Sequence, residues 1–411
     1  MSLSKKIIII DFNIKNAHRF IALQEEFKRN NLELKFICED KNFLEKEKKI
    51  KGLKVKNFHS YPSQNYLNIL QLERPDLVLV INIHLLKNRS INRCCKFLKI
   101  PIVLLEHGIS SVTGFKKKKG FDSIENILKR YKRIIKGNLF KEYRSYLNYL
   151  FATKSPLEDY FLSILEVLLK LIGRQIFTQD WIYSSYCVFL DSDKKKLIQE
   201  LNYSIDKEKI FVVGNYDLTF FDLKEDDFNS YDQYSNSKLI LYFDSDGVHR
   251  TFKGNLDKYL KYMKKINTIV NFFGFTLKIK LHPNSLMHKL DDELSQINIF
   301  QVNNQELLEN LRNAKYIITE PSSISALGCL IGIPLITPSI HPFNKKRYGF
   351  LLDNYPSKIN FNSYEDLKNI LKNIEFNSNK NLIEKWIKDF AGPLPPSDFP
   401  KRVLSVIKMH I

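Results

Sequence analysis

Two short clusters in the carboxyl-terminal half hold residue types that together bind a phosphate. Lys278-Ile279-Lys280-Leu281-His282-Pro283 closes an apolar run, which sets an imidazole at the carboxyl end of a strand. Further on, Tyr316 to Thr319 forms a second such run, followed by Glu320-Pro321-Ser322-Ser323 and then Ala326–Ile331 at helical spacing. Ser322 and Ser323 fall at the start of that helix, where free backbone N–H groups and the positive dipole end meet two hydroxyls. His282 adds a donor for the same phosphate oxygens, and Glu320 stands where it can accept from ribose hydroxyls. Plain capping explains either cluster alone. On successive strands of one sheet, the two together favour phosphate binding.

The amino-terminal half offers a second cluster, Leu105-Glu106-His107-Gly108. Gly108 permits a sharp turn and the close approach of a ligand. Glu106 and His107 supply a carboxylate and an imidazole, and either can deprotonate a hydroxyl nucleophile; a purely structural turn is the alternative. Asp11 and Asn13 follow the first strand and are expected near the same edge, with helix N-capping as the competing role. Asp244-Ser245-Asp246-Gly247 follows the first strand of the second half. His249 and Arg250 lie just beyond it, within reach of phosphate or acceptor.

These residues need a scaffold, and the apolar pattern supplies one. Ile7–Asp11, Leu32–Ile37, Leu77–Ile81 and Ile102–Leu105 read as strands apolar on both faces, with helical spacing over Lys15–Asn30 and Ile91–Leu98 between them. The rhythm resumes at Tyr186–Leu190, Lys194–Leu201 and Ile210–Val213. It starts again at Leu239–Phe243 and continues through Leu277–Leu281, Tyr316–Thr319 and Pro334–Thr337. Doubly apolar strands alternating with helices imply parallel sheets covered on both sides. A chain of 411 residues with 44% hydrophobic residues is too long for one ordinary core. The expected layout is an amino-terminal domain over 1–215 carrying an insertion at about 112–180, and a linker over 216–236. A second domain covers 237–390, and a crossover helix covers 391–411. Two such domains facing a cleft would gather ligands at the carboxyl ends of both sheets.

Composition narrows the function further. The formal charge is +19, and Lys116–Arg144 alone carries eleven Lys/Arg against three acids, with apolar residues at helical spacing among them. A basic amphipathic segment suits an anionic membrane surface, against the plainer reading of a solvated lysine-rich face. No nucleic-acid reading motif accompanies it. The stretch Tyr160 to Phe177 is apolar but contains Glu166, Lys170 and Arg174, too charged for a span. Lys5-Lys6 runs straight into Ile7–Ile10 without an export signal, so the expected place is the cytoplasm, peripheral at the inner membrane face. Cys38, Cys94, Cys95, Cys187 and Cys329 are scattered, without zinc spacing, and read as free thiols. No P-loop, GxGxxG or GxSxG occurs, which removes the usual support for kinase, dehydrogenase and hydrolase chemistry.

The pair KLHP (280–283) and TEPSSIS (319–325) resembles the His-Pro and Ser-Ser motifs of bacterial GT-B transferases that use CMP-activated donors. These are the sialyltransferases, polysialyltransferases and capsule Kdo transferases. KIFVVGN (209–215) is similar to the strand closing the first domain of many GT-B enzymes. The resemblance implies the GT-B architecture: α/β, two Rossmann-like doubly wound domains. It implies that His282 and the serines Ser322 and Ser323 hold the donor's phosphate while Glu320 engages the ribose. Glu106-His107-Gly108 is similar to the acidic-acidic-Gly motif of polysialyltransferases and to the His-Gly motif of teichoic-acid polymerases, and matches neither fully. Asp244 and Asp246 resemble the metal motif of the other glycosyltransferase architecture, but GT-B enzymes generally need no metal. The implied activity is inverting, metal-independent transfer of a sialic-acid or Kdo type sugar. The CMP-sugar is the substrate, no separate cofactor is needed, and a glycan or lipid-linked molecule is the acceptor. Transfer from CDP-glycerol or CDP-ribitol, or a non-catalytic glycan- or membrane-binding module, are the alternatives.

Overall fold

A computed structural model of the chain describes residues 4–411 apart from 41–42, 44, 82–85, 107–138, 172–178, 202–204, 221–222, 224–226, 228–236, 283, 289, 304, 321–324, 342–351, 353–354 and 374–378. The chain divides into two compact units. The described residues up to Tyr216 form one together with Asp398–Ile411, and Asp217–Ser397 forms the other.

The first unit holds an eight-stranded sheet. Its strands are β1 (Lys5–Asp11), β2 (Leu32–Cys38), β3 (Glu47–Ile50), β4 (Leu53–Asn57), β5 (Leu77–Val80), β6 (Ile102–Leu105), β7 (Ser185–Val188) and β8 (Ile210–Val212). Their order is β3-β4-β2-β1-β5-β6-β7-β8, and every pair is parallel except β3 with β4. Ile7 to Ile9 are fully buried, as expected of a central strand covered on both faces. The β3–β4 hairpin is absent from the sequence reading. Its strands are short and lysine-rich, and Lys51 and Gly52, both at positive φ, close it. Lysines on an exposed edge strand discourage pairing with another chain.

Helical spacing over Lys15–Asn30 resolves into two pieces, a 3-10 stretch Ile14–Phe20 and an α-helix Ile21–Arg29. Side chains set the first piece. The Asp11 carboxylate accepts from the Phe12 and Asn13 N–H groups, and Asp40 accepts from Ile14 N–H. One local carboxylate and one brought from beyond β2 thus satisfy the backbone donors at the entry to this piece. The last helix, Phe399–Lys408, belongs to the first unit. Arg402 Nε donates to the Val213 carbonyl at 2.8 Å, and Lys408 Nζ donates to Asn30 Oδ1 at 2.7 Å.

The second unit holds a six-stranded, wholly parallel sheet, in the order β11-β10-β9-β12-β13-β14. These are β9 (Leu239–Phe243), β10 (Thr276–Lys280), β11 (Phe300–Gln301), β12 (Ala314–Thr319), β13 (Leu335–Pro338) and β14 (Lys358–Phe361). Alternate residues of β9 feed two cores. Ile240 and Tyr242 pack with Met263 and Ile266 of the helix Leu256–Phe272, while Leu241 and Phe243 pack with Leu327 and Leu330 of the helix Ser325–Ile331. Asn255 caps the longer helix by accepting from Lys258 N–H at 3.0 Å. A Cβ on Gly328 would lie 1.9 Å from Ile317 Cδ1, so the absence of a side chain lets the shorter helix approach β12. All five cysteines are free and buried. No helix among the described residues is long and apolar enough to cross a membrane.

Candidate functional site

Strand order fixes where the second unit can hold a ligand. From β9 the chain builds outward through β10 and β11, then returns to place β12 on the other side of β9. Order reverses between β9 and β12, and α/β sheets take ligands outside the carboxyl ends of such strands. The loop Asp244-Ser245-Asp246-Gly247 emerges there from β9, with His282 beyond β10 on one side and Glu320 beyond β12 on the other.

Hydrogen bonds weld the three strand ends together. Asp244 Oδ2 accepts from His282 N–H at 3.1 Å and from the Ser285 hydroxyl at 2.5 Å, and Asp244 Oδ1 accepts from Gly247 N–H at 2.8 Å. Glu320 is fully buried. Its Oε1 accepts from Tyr242 OH at 3.0 Å and its Oε2 from Ser245 Oγ at 2.8 Å. Burial, reinforced by the Asp244 carboxylate nearby, raises the Glu320 pKa to about 7. Gly247 is the residue that lets these groups converge. A Cβ there would stand 3.0 Å from Asp244 Oδ1, 3.1 Å from the Tyr259 ring and 3.3 Å from Glu320 Oε1. Sequence reasoning expected Glu320 to face a ribose; here its carboxyl group faces inward and ties β12 to β9.

Asp244 is likewise occupied by three protein donors and acts as the loop's organiser. Among the described residues no group of three or more His, Cys, Asp or Glu side chains could hold a metal ion. Asp246 adopts a left-handed conformation with φ of 73°, tolerable for aspartate. Its Oδ2 accepts from Asn284 Nδ2 at 3.2 Å and pairs with Arg250 Nε at 3.5 Å, while Oδ1 is buried without a hydrogen-bond partner among the described residues.

His282 is half-buried, and its Nδ1 accepts from Asn284 N–H at 3.2 Å. Desolvation lowers its pKa below the ordinary histidine value, so the ring is neutral near pH 7. With Nδ1 serving as acceptor, the ring proton sits on Nε2, which becomes a donor.

Lys280, two residues earlier, was not singled out by sequence reasoning as a site residue. Only 7% exposed, it has its Nζ 3.4 Å from the Leu281 carbonyl and no carboxylate within ion-pair distance among the described residues. Burial lowers its pKa. A desolvated ammonium without an anion is costly, and a bound phosphate would relieve that cost. No local signal marks it: β10 reads Thr276-Leu277-Lys278-Ile279-Lys280, and only packing makes the second lysine the buried one. His341, in a second His-Pro pair after β13, was also passed over. Its ring packs against Phe252 and Tyr262 at 4.8 and 5.4 Å.

The structure therefore brings together Asp244, Asp246, Arg250, His282 and Glu320. Pro283, Ser322, Ser323, His107 and Gly108 lie outside the described residues. Glu106, Asp11 and Asn13 belong to the first unit. Glu106 follows β6, is half-buried, and accepts from Phe189 N–H at 3.2 Å through Oε2. Asp11 is 4% exposed and its carboxylate serves the turn after β1, also accepting from Asn16 Nδ2 at 2.8 Å; capping is its role here. Asn13 is exposed.

The chain matches no protein-family model and no curated protein sequence. Solved structures do resemble it. The kitacinnamycin glycotransferase shares 11% identity at a TM-score of 0.58, covering 99% of both chains. The wall teichoic acid polymerase TagF shares 10% at 0.54, covering 100% of this chain and 90% of that one. A UDP-N-acetylglucosamine 2-epimerase shares 13% at 0.52, covering 100% and 96%. At such identities the likeness speaks for architecture: the protein has the GT-B fold, built from two parallel-sheet α/β units.

Proposed function

We propose that the chain is a glycosyltransferase that draws on a nucleotide-activated sugar and holds the donor's phosphate at the carboxyl edge of the six-stranded sheet. One observation carries this reading: Lys280, an ammonium buried without a carboxylate partner among the described residues, two residues from a neutral His282 whose Nε2–H is a donor. The fold supports it, because proteins of this architecture include a glycotransferase and an epimerase named for a UDP-sugar. The motif resemblance favours CMP over UDP as the nucleotide, and hence a sialic-acid or Kdo type sugar. Transfer then proceeds by attack of an acceptor hydroxyl oxygen on the anomeric carbon. The hydroxyl proton passes to a base, for which we favour Glu106, and the bond to the phosphate oxygen breaks with its electron pair leaving on CMP. Donors fixed around that phosphate stabilise the leaving group without reorganising during the reaction. The acceptor is a glycan or lipid-linked molecule at an anionic membrane face, to which the basic segment 116–144 is suited.

A second reading, transfer of glycerol- or ribitol-phosphate from a CDP donor, is favoured by the likeness to the teichoic acid polymerase. Calorimetric titration with CMP, CDP, UMP and UDP tests both. CMP is expected to bind, and His282→Ala and Lys280→Ala are each expected to weaken it roughly 10- to 100-fold, the value of a hydrogen bond to a charged group. Preference for CDP would favour the second reading, and preference for uridine nucleotides would overturn the CMP assignment. No binding of any nucleotide would leave a non-catalytic module.

A further inference from the structure

Part of the helix Leu157–Leu171 is built inside out. Three of its polar residues face inward: Glu166 and Ser163 are 0% and 1% exposed, Glu166 pairs with Arg89 at 2.6 Å, and Asp159 pairs with Arg93. Three of its large apolar residues face outward. Leu157, Phe161 and Ile164 are 87%, 66% and 56% exposed, and Phe151, at the end of the preceding helix Leu139–Ala152, is 80% exposed. Positions 157, 161 and 164 fall on one helical face. Single exposed hydrophobics are ordinary; a ridge of four large ones on a hairpin tip marks an interaction surface.

We infer that this ridge inserts into the interfacial layer of a bilayer containing anionic lipid. The charge of the chain chooses the occupant. Its formal charge is +19, the sequence Lys116–Arg144 holds eleven Lys/Arg against three acids, and exposed Lys154 lies in the turn between the two helices. Glu158 is the exposed acid flanking the ridge. An apolar ridge on a chain of such positive charge fits acyl chains below anionic headgroups. A second copy of the chain would also cover apolar surface, but each copy carries +19, and like charge opposes that pairing. The inference deepens the membrane part of the proposed function and is independent of the donor's identity.

Co-sedimentation with phosphatidylcholine vesicles, with and without phosphatidylglycerol, tests it. The full chain is expected to bind the anionic vesicles, more weakly as salt rises, and to leave the neutral ones in comparison unbound. The double variant Leu157→Glu with Phe161→Glu is expected to lose about tenfold or more in vesicle affinity while retaining its melting temperature and nucleotide affinity. Because both side chains are exposed, their replacement should not unfold the chain. Phe161→Trp supplies a separate readout: its emission should shift to the blue on adding anionic vesicles. Equal vesicle binding by the double variant and the original chain would overturn the inference, as would an unshifted tryptophan. A dimer that the double variant dissolves, with no vesicle binding by either, would make the ridge a contact between copies instead.

Discussion

Arg89→Met is expected to destabilise the first unit by about 3–5 kcal/mol, the cost of stripping a buried charge of its partner. Arg89 and Glu166 are both fully buried, with Nη1 and Oε2 2.6 Å apart. The guanidinium also lies over the rings of Tyr146 and Trp181 at 4.9 and 5.1 Å, and Tyr146 OH donates to Asp180. Arg93 adds contacts to Asp159 and Asp180. This network binds three helices, Leu86–Phe97, Leu139–Ala152 and Leu157–Leu171, and it is what turns the polar face of the third inward. Methionine fills most of the volume but leaves Glu166 in a medium that disfavours its charge. The double variant Arg89→Met with Glu166→Leu should recover most of the loss, since apolar replacements of a whole buried pair are often neutral. Urea denaturation followed through Trp181, in a Trp386→Phe background, reads the first unit alone. A single-variant loss below about 1 kcal/mol, within the range of exposed ion pairs, would contradict the network's role.

Glu320→Gln should make the second unit more stable at alkaline pH. The folded pKa of Glu320, about 7, lies above its ordinary value of 4.5. Between those values the native chain holds the proton and the unfolded chain does not, so this group's contribution to stability falls as pH rises through the window and stays low above it. Glutamine is neutral throughout and still accepts one hydrogen bond at the Tyr242 and Ser245 hydroxyls. At about pH 8 the variant should therefore be about 2 kcal/mol more stable than the original chain, and at about pH 5 the two should nearly coincide. His282 acts in the opposite sense. Its folded pKa lies below 6.5, so stability falls as pH drops below 6.5, and this cancels in the comparison because both proteins carry it. A variant less stable than the original at pH 8 would show that the fold favours the Glu320 carboxylate instead of penalising it, and would contradict the raised pKa.

Continuous β-branched runs such as Ile7 to Ile10 made the parallel sheets legible, because only burial on both faces explains such strands. The lysine-rich β3 and β4 were hidden because an edge hairpin half in water has no comparable apolar signal. At the candidate site, His282 and the Asp244 loop could be read from their places after strands. Lys280 was missed because a strand lysine is ordinarily exposed, and its burial depends on neighbours distant in sequence. Glu320 carries the same lesson in reverse. Its position was evident, but its inward direction follows from Tyr242 and Ser245 on another strand. The Arg89–Glu166 pair spans 77 residues of chain, a separation that no local pattern reports.

A structure of the protein crystallised with CMP puts the phosphate assignment to its most direct test. The phosphorus group should lie at the end of β10, with an oxygen about 3 Å from His282 Nε2, ordinary hydrogen-bond distance, and another within reach of Lys280 Nζ. Nucleotide bound well away from those two nitrogens, with Lys280 still buried and without an anion, would contradict it.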